Sequence, residues 1–152
     1  MIEVTLTPSE LFVSSHVGCL RHISSIQRKL PNIVAGSKDD WNSDVDGASA
    51  EMAVAKHLGV YWNQSVNAGK APDVLEYQIR STSHRNGCLI IRERDKVDAT
   101  YILVITNPPI FKIIGSIHST IAKQDKYWRK ADDMGVGAWW VPQCDLGEFK
   151  HG

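Results

Sequence analysis

The sequence lacks the features that mark secreted, membrane-spanning or zinc-stabilised proteins. It holds three cysteines, an odd number with no CxxC pair, so no disulfide framework is expected and a reducing compartment fits. Its six histidines form no HxxxH or HExxH pair, so we expect no structural zinc. No apolar run approaches the ~20 residues of a membrane span, and residues 1–5 do not resemble a signal peptide. These absences predict a cytoplasmic protein with no membrane partner.

An excess of charge of one sign is also missing. Seventeen Lys and Arg residues balance seventeen Asp and Glu residues, whereas DNA-binding domains are usually basic. The charges are nevertheless grouped, with acidic residues at 39–46 and basic residues at 80–96 and 123–130. Each group is either a solvated face or part of a nucleic-acid footprint. The neutral total hints at a homodimer, or a larger complex, that supplies further DNA contacts.

Length and patterning predict a single α/β domain over residues 1–152, with a mixed β-sheet. A first helix is predicted at about 8–30. Thr7 can cap this helix, Pro8 suits its first turn, and Glu10 completes a capping box. Its apolar residues recur at helical spacing, so we assign it a packing role and no chemistry.

The rest of the chain alternates between loops, helices and strands. A polar loop is predicted at 35–46, followed by a second helix that Asp44 or Asp46 caps. Gly59 should close that helix in the left-handed conformation. A short helix or helical turn is predicted at 119–130. Strands are predicted at 60–62, 76–82, 88–92, 101–106, 110–117 and 138–142. The run at 101–106 is the most apolar and should be central in the sheet.

A carboxylate occupies an apolar position of the second helix. Glu51 lies three residues after Ala48 and four before Ala55, so it shares their inward face. A buried glutamate is costly unless it is paired or binds a metal. The alternative is a glutamate at the edge of the apolar stripe that reaches solvent or pairs with an arginine.

A second group of polar residues surrounds the strand predicted at 76–82. Gln78 and Arg80 share one strand face, whereas Asp73, which follows Pro72, has the opposite parity. A bulge or tight bend after Asp73 is therefore required if these residues serve one site. Two alternatives remain: Asp73 bonds its own backbone in a turn, and the strand is an edge strand with one wet face.

The order Gly-x-x-x-Glu helix, loop, Pro-Asp and Gln-x-Arg strand resembles the PD-(D/E)XK nuclease superfamily over about residues 47–118. The run at 77–82 is also similar to small phage and actinobacterial proteins. The resemblance implies a restriction-endonuclease-like core at about 47–142, a mixed β-sheet flanked by helices. It matches Glu51 to the helix glutamate and Asp73 to the motif aspartate. Gln78-Ile79-Arg80 takes the place of the (Asp/Glu)-x-Lys element.

The resemblance also implies a site. Mg²⁺ or Mn²⁺ would be held by Glu51, Asp73, the side-chain oxygen of Gln78 and the carbonyl of Ile79. Arg80 would contact the scissile phosphate, which makes Glu51, Asp73, Gln78 and Arg80 the predicted catalytic set. Gln78 in place of an acid removes one negative charge from the cation site. Arg80 in place of lysine can stabilise charge but cannot act as a general base.

Cationic and aromatic residues near this motif are candidates for holding nucleic acid. The predicted nucleic-acid-binding residues are Lys70, His84, Arg85, Arg92 and Arg94. His84 lies in the segment 83–87, which resembles a hairpin turn, and is either a phosphate ligand or an exposed turn residue. The aromatic pairs Tyr127-Trp128 and Trp139-Trp140 either stack on bases or pack in the protein.

Three hypotheses follow. The first is a metal-dependent nuclease, a phage-encoded or bacterial hydrolase that cuts DNA phosphodiester bonds as an endonuclease or an exonuclease. The second is a catalytically degenerate module of the same fold that binds nucleic acid or a protein. The third is a structural protein with no site, which predicts that Glu51 is exposed and that Asp73 lies more than about 10 Å from Gln78.

Overall fold

A computed structural model describes residues 1–28, 40–67, 71–130 and 137–151, which form a mixed α/β fold with two β-sheets. The described helices are α1 (Pro8–Gln27), α2 (Asp40–Leu58) and α3 (Ser119–Ala122). The described strands are β1 (Ile2–Thr5), β2 (Tyr77–Thr82), β3 (Leu89–Arg92), β4 (Thr100–Asn107), β5 (Ile110–His118), β6 (Trp128–Lys130) and β7 (Gly137–Val141). None of the helices in these ranges is long and apolar enough to cross a membrane.

The first sheet has the strand order β1-β5-β4-β2. Strands β4 and β5 form an antiparallel hairpin, as predicted, and β1 pairs with the outer side of β5. Strand β2 runs parallel to β4 and lies at an edge of this sheet. The predicted central place of the most apolar strand is confirmed, because six consecutive residues of β4 are buried.

The second sheet has the order β3-β7-β6, and all its pairs are antiparallel. Strands β2 and β3 therefore belong to different sheets. The prediction that residues 83–87 form a hairpin turn between them is wrong. The reason is that β2 finds its partner in β4, whereas β3 pairs with β7, a strand almost fifty residues later. The segment between them crosses from one sheet to the other.

Strand β4 separates two hydrophobic clusters. Ile102 and Val104 face α1 and α2 and join the cluster between the helices and the first sheet. Tyr101 and Leu103 point the other way and pack against residues of β3 and β7, in a cluster between the two sheets. Because side chains alternate along a strand, a strand covered on both faces is apolar throughout, which explains the unbroken hydrophobic run.

The first helix begins as predicted. The Thr7 hydroxyl accepts the Glu10 N–H at 3.2 Å, and a Glu10 carboxylate oxygen accepts the Thr7 N–H at 2.7 Å. Its packing face differs from the predicted apolar stripe. Small and polar residues of α1 are buried, namely Ser14, Val17, Gly18 and His22. Large apolar ones are exposed, namely Phe12, Leu20, Ile23 and Ile26.

The second helix already includes residues 40–46, so the prediction of a loop there is wrong. The prediction that Asp44 or Asp46 caps this helix is wrong for the same reason. Residues 35–39 lie outside the described ranges. Asp44 bonds His22 at 2.8 Å and Asp46 accepts the Thr106 hydroxyl at 3.2 Å. These tertiary partners replace the local capping bonds that favoured a helix start here. Gly59 closes α2 with φ +65°, as predicted.

Two further predictions differ from the structure. Residues 60–62 form no strand, because the ring of Trp62 turns inward and is 4 % exposed. Within 119–130 only Ser119–Ala122 is α-helical, and Trp128–Lys130 pairs with β7 as strand β6. The late strand is confirmed at Gly137–Val141 and ends before Pro142.

Close contact between α1 and α2 depends on a glycine. A methyl group at Gly18 would lie 2.5 Å from Cα of Val45 and 2.8 Å from the carbonyl oxygen of Asp44. We expect Gly18→Ala to separate the helices and lower the free energy of unfolding by about 1–3 kcal/mol, measured by urea denaturation. Gly47→Ala is the matched control, because nothing lies within 4 Å of its methyl group. It should stabilise α2 by up to about 1 kcal/mol. Equal effects at the two positions would contradict the close approach.

Candidate active site

Glu51 points into the protein and is held by an arginine of α1. Its side chain is 6 % exposed, which agrees with its predicted place on the inward face of α2. Arg21 contacts both carboxylate oxygens, with Nη1 2.6 Å from Oε1 and Nη2 2.8 Å from Oε2. The Arg21 Nε–H donates to the Ser65 carbonyl at 2.8 Å, which fixes the plane of the guanidinium. The alternative of a glutamate paired with an arginine is therefore the arrangement observed.

The Glu51 carboxylate keeps one acceptor position. Two carboxylate oxygens offer about four lone-pair sites. Oε2 receives Arg21 and also the indole N–H of Trp62 at 3.0 Å, while Oε1 receives only Arg21. Among the described residues, one lone pair of Oε1 therefore has no donor.

Asp73 reaches β2 through a tight bend. Its backbone N–H donates to the Tyr77 carbonyl at 2.9 Å, Val74 and Tyr77 form a bridge, and Leu75 has φ +51°. This is the bend that the parity of the sequence required. It brings Oδ2 of Asp73 to 2.6 Å from the N–H of Ile79, which donates to it. The carboxylate is thus fixed beside the middle of the Gln-x-Arg segment.

Burial raises the pKa of Asp73, and the negative charge of Glu51 raises it further, from 3.8 to about 6. The Ile79 N–H, Arg80 and Arg21 act in the opposite direction. The pKa of Asp73 therefore depends on charged residues of α1, α2 and β2, namely Arg21, Glu51 and Arg80. A carboxylate that titrates near neutral pH beside a second carboxylate is typical of a functional site.

Gln78 and Arg80 point to the face of β2 opposite Ile79. Gln78 is 6 % exposed, and its Nε2–H donates to the Ala71 carbonyl at 3.1 Å, so the Oε1 end of the amide is not used in this bond. Glu51 approaches from the helix side of the sheet, and Gln78 lies on the other side. The structure therefore brings Glu51 and Asp73 near each other, whereas the predicted ligand Gln78 lies on the opposite face of the edge strand.

The Arg80 guanidinium is positioned from three directions. Nη2 lies 3.0 Å from a carboxylate oxygen of Asp95, and Nη1 donates to the Ile79 carbonyl at 3.0 Å. The group lies 5.0 Å from the ring centroid of Tyr101. Nε is buried and has no hydrogen-bond partner among the described residues. The Ile79 carbonyl, a predicted cation ligand, is thus already engaged by Arg80.

A cleft of about 490 Å³ opens beside Arg80, between the edge of the first sheet and the second sheet. Its lining includes Arg80, Thr82, His84, Ile90, Arg92 and Trp140. Two of the predicted nucleic-acid-binding residues, His84 and Arg92, therefore line it. Arg85 and Arg94 are exposed and are not part of the lining. Lys70 lies outside the described residues.

The donor chemistry of the site suits a small hard cation. Within the described ranges no group of three or more His, Cys, Asp or Glu side chains is arranged to hold a metal ion. The predicted set contains two such residues, Glu51 and Asp73, and the amide of Gln78 lies on the other face of β2. Carboxylate and amide oxygens are ligands of Mg²⁺, which keeps several waters and needs few protein donors.

Sequence reasoning missed the residues that hold this site in place. Arg21 neutralises Glu51, Trp62 donates to it, and Asp95 orients Arg80. One signal was available: Arg21 follows the buried Val17 by four residues, so it lies on the inward face of α1, as Glu51 does on α2. Two opposite charges on the inward faces of consecutive helices predict a pair.

Comparisons with known proteins give no further guide: no protein-family model matches the chain, and neither curated proteins nor solved structures give a match. Function is therefore argued from the geometry of the site.

Proposed function

We propose that this protein is a metal-dependent nuclease that hydrolyses phosphodiester bonds of DNA. The observation that carries the proposal is the pair of carboxylates, Glu51 and Asp73, whose mutual repulsion contributes to raising the pKa of Asp73 to about 6. Two acids at one site favour a bound cation, and a divalent cation next to an arginine suits a phosphodiester. The predicted order of helix glutamate, aspartate and Gln-x-Arg strand supports the same conclusion.

Asp73 and the Oε1 atom of Glu51 would hold Mg²⁺ or Mn²⁺, with waters completing the coordination of the ion. When bound, the ion activates a water and neutralises charge on the phosphate. Asp73 has to be deprotonated to serve as a ligand, so its raised pKa makes cation binding depend on pH near 6. Arg21 fixes the orientation of the Glu51 carboxylate through contacts to both of its oxygens.

Arg80 is suited to hold the scissile phosphate. Its charge is permanent, and Asp95, the Ile79 carbonyl and the Tyr101 ring fix its position before substrate arrives. A preorganised guanidinium stabilises the negative charge that grows on phosphate in the transition state. Arg80 does not accept a proton, so the attacking water must lose its proton to another group or to solvent.

We further propose that the fold is a divergent form of the restriction-endonuclease-like core. The support is topological: α2 with its inward glutamate precedes β2 with the Gln-x-Arg segment, and a mixed sheet packs against α1 and α2. The second sheet, β3-β7-β6, covers the other face of β4 and forms the far wall of the cleft.

Cleavage assays test the proposal directly. We expect the wild-type protein to cleave plasmid or oligonucleotide DNA with Mg²⁺ or Mn²⁺ and not with EDTA. Asp73→Ala and Asp73→Asn should reduce cleavage to background, because both remove the charged ligand. Glu76→Gln is the matched control, since Glu76 is an exposed carboxylate three residues away and should not matter. Equal activity of wild type and Asp73→Ala would end the proposal.

A second candidate function rests on the Arg21–Glu51 pair. Because Arg21 already neutralises Glu51, the site can be stable with no metal, as in a degenerate module that binds DNA and cuts nothing. Calorimetric titration with Mn²⁺ separates the two functions. The nuclease should take up the ion with millimolar or better affinity through Asp73, whereas the degenerate module should not.

A further inference from the structure

One face of the second sheet presents Arg92 and Trp140 to the cleft. In this sheet Leu89 and Ile91 of β3 face the core, so Ile90 and Arg92 face the cleft. The register places Trp140 beside Ile90 and Ala138 beside Arg92. Ala138 is in turn paired with Arg129 of β6. Arg92 and Arg129 therefore lie on either side of Ala138, which precedes Trp140 by two residues on the same face of β7.

Trp140 differs from the other tryptophans of this sheet. Trp139 packs on the core between the sheets and against Trp128, with ring centroids 4.7 Å apart. Trp140 has the opposite parity and lines the cleft instead. The guanidinium of Arg129 lies 5.9 Å from the Trp140 ring centroid. An aromatic ring that faces a cleft with a cation beside it is the arrangement on which nucleic-acid bases stack.

The opposite wall of the cleft carries a second cationic group. Arg80 lines it from β2, and its buried Nε–H has no acceptor among the described residues. Burial lowers the pKa of Arg92, and nearby Asp95 opposes this effect. The positive charges of Arg80 and Arg94 lower the pKa of Arg92 further. Asp95 offsets part of this positive charge, because its Oδ2 atom lies 3.0 Å from Arg80 Nη2 and accepts the backbone N–H of Arg92 at 2.8 Å. Arg80 and Arg92 nevertheless both line the cleft, where a phosphate would lie between them.

We propose that the cleft binds one unpaired nucleotide of a single-stranded nucleic acid, with its base on Trp140 and its phosphate between Arg80 and Arg92. A volume of about 490 Å³ lies in the range of small-ligand pockets, which suits a nucleotide and not a duplex. Bases in a duplex stack on each other, and only unpaired bases offer a face to an aromatic ring.

This inference rests on the proposed function in one respect: it makes single-stranded ends or gaps the substrate that reaches Asp73. Asp73 accepts the N–H of Ile79, and the adjacent Arg80 lines the cleft. A nucleotide seated on Trp140 would therefore present its phosphate to the guanidinium next to the carboxylate site. The base pocket and the carboxylate site are separate, so each can be tested alone.

Fluorescence anisotropy in EDTA tests binding without cleavage. The probes are labelled oligo(dT), oligo(rU) and a blunt DNA duplex with an equal number of phosphates. We expect oligo(dT) or oligo(rU) to bind the wild type more tightly than the duplex. Trp140→Leu should weaken single-strand binding about tenfold or more, and Trp140→Tyr should restore most of it, because tyrosine still stacks. Circular dichroism and urea unfolding confirm that each variant is folded.

Arg92 and Arg28 provide a matched pair for the phosphate contact. Arg92→Gln should weaken binding of both single strands several-fold, whereas Arg28→Gln removes the same charge from an exposed position outside the lining and should change it little. Equal losses of affinity in the two variants would show that binding depends on the overall charge of the protein. That result would overturn the proposed phosphate site. Preference of oligo(dT) over oligo(rU), or the reverse, distinguishes DNA from RNA as the source of the nucleotide.

The failures of this inference and of the nuclease proposal are distinguishable. Equal affinity for duplex and single strands, or unchanged binding by Trp140→Leu, overturns the nucleotide cleft even if metal-dependent cleavage is observed. Tight single-strand binding that depends on Trp140, with no cleavage in Mg²⁺ or Mn²⁺, supports the cleft and contradicts the nuclease.

Discussion

Arg21→Met is expected to lower the free energy of unfolding by about 3–5 kcal/mol, which is the usual cost of leaving a buried charge without its partner. Glu51 is 6 % exposed, and after the substitution the indole N–H of Trp62 would be its one remaining donor among the described residues. The loss should be seen as a lower midpoint in urea denaturation with an unchanged slope. A loss below about 1 kcal/mol would mean that the pair behaves like an exposed one.

A double-mutant cycle separates the pair from the packing around it. In Arg21→Met with Glu51→Met both charges are absent, so much of the stability lost by Arg21→Met should return. Lys112→Met is the control for a surface pair. Lys112 Nζ lies 3.2 Å from Glu3 Oε1, and the two side chains are 40 % and 52 % exposed. It should change the free energy of unfolding by about 1 kcal/mol or less.

Asp73→Asn is expected to stabilise the metal-free protein at pH 8, by roughly 3 kcal/mol. The raised pKa of Asp73, about 6 against 3.8, sets the sign. Between these two values the folded protein holds a proton that the unfolded chain has released, so wild-type stability falls as pH rises from about 4 to about 6. Asparagine carries no charge, and its oxygen can still accept the Ile79 N–H. The variant should therefore lose this pH dependence.

Urea denaturation at pH 4, 6 and 8 in EDTA measures this effect. Wild type and Asp73→Asn should be closest in stability at pH 4 and furthest apart at pH 8. Glu76→Gln, at an exposed carboxylate, should follow the wild-type curve. A variant less stable than wild type at pH 8 would show that the Asp73 charge supports the fold. The expected result shows the opposite, that the charge lowers the stability of the fold.

Local signals in the sequence predicted several parts of the fold and of the candidate site. The capping box of α1 depends on Thr7 and Glu10 alone, so it is visible without any tertiary information. The inward direction of Glu51 follows from helical periodicity, and the bend after Asp73 follows from strand parity. Each of these features is set by residues within about one or two helical turns, or a few strand positions, of each other.

Other features of the fold depend on contacts between segments that are distant in sequence, and local sequence patterns did not predict them. Asp44 and Asp46 have the composition of helix caps, but His22 and Thr106 bind them inside α2. The packing face of α1 was set by how closely Gly18 allows α2 to approach, and not by the largest apolar residues. The parallel pairing of β2 with β4 depends on the whole sheet.

Calorimetric titration of the protein with Mn²⁺ at pH 5.5 and pH 8 tests most directly the proposal that Glu51 and Asp73 share a cation. The wild-type protein should bind one ion, release most of one proton at pH 5.5, where Asp73 is largely protonated, and release little at pH 8. Asp73→Asn should show neither binding nor proton release. Equal heats and equal proton release for wild type and Asp73→Asn would contradict the account, because Glu51 and Asp73 would then share no ion.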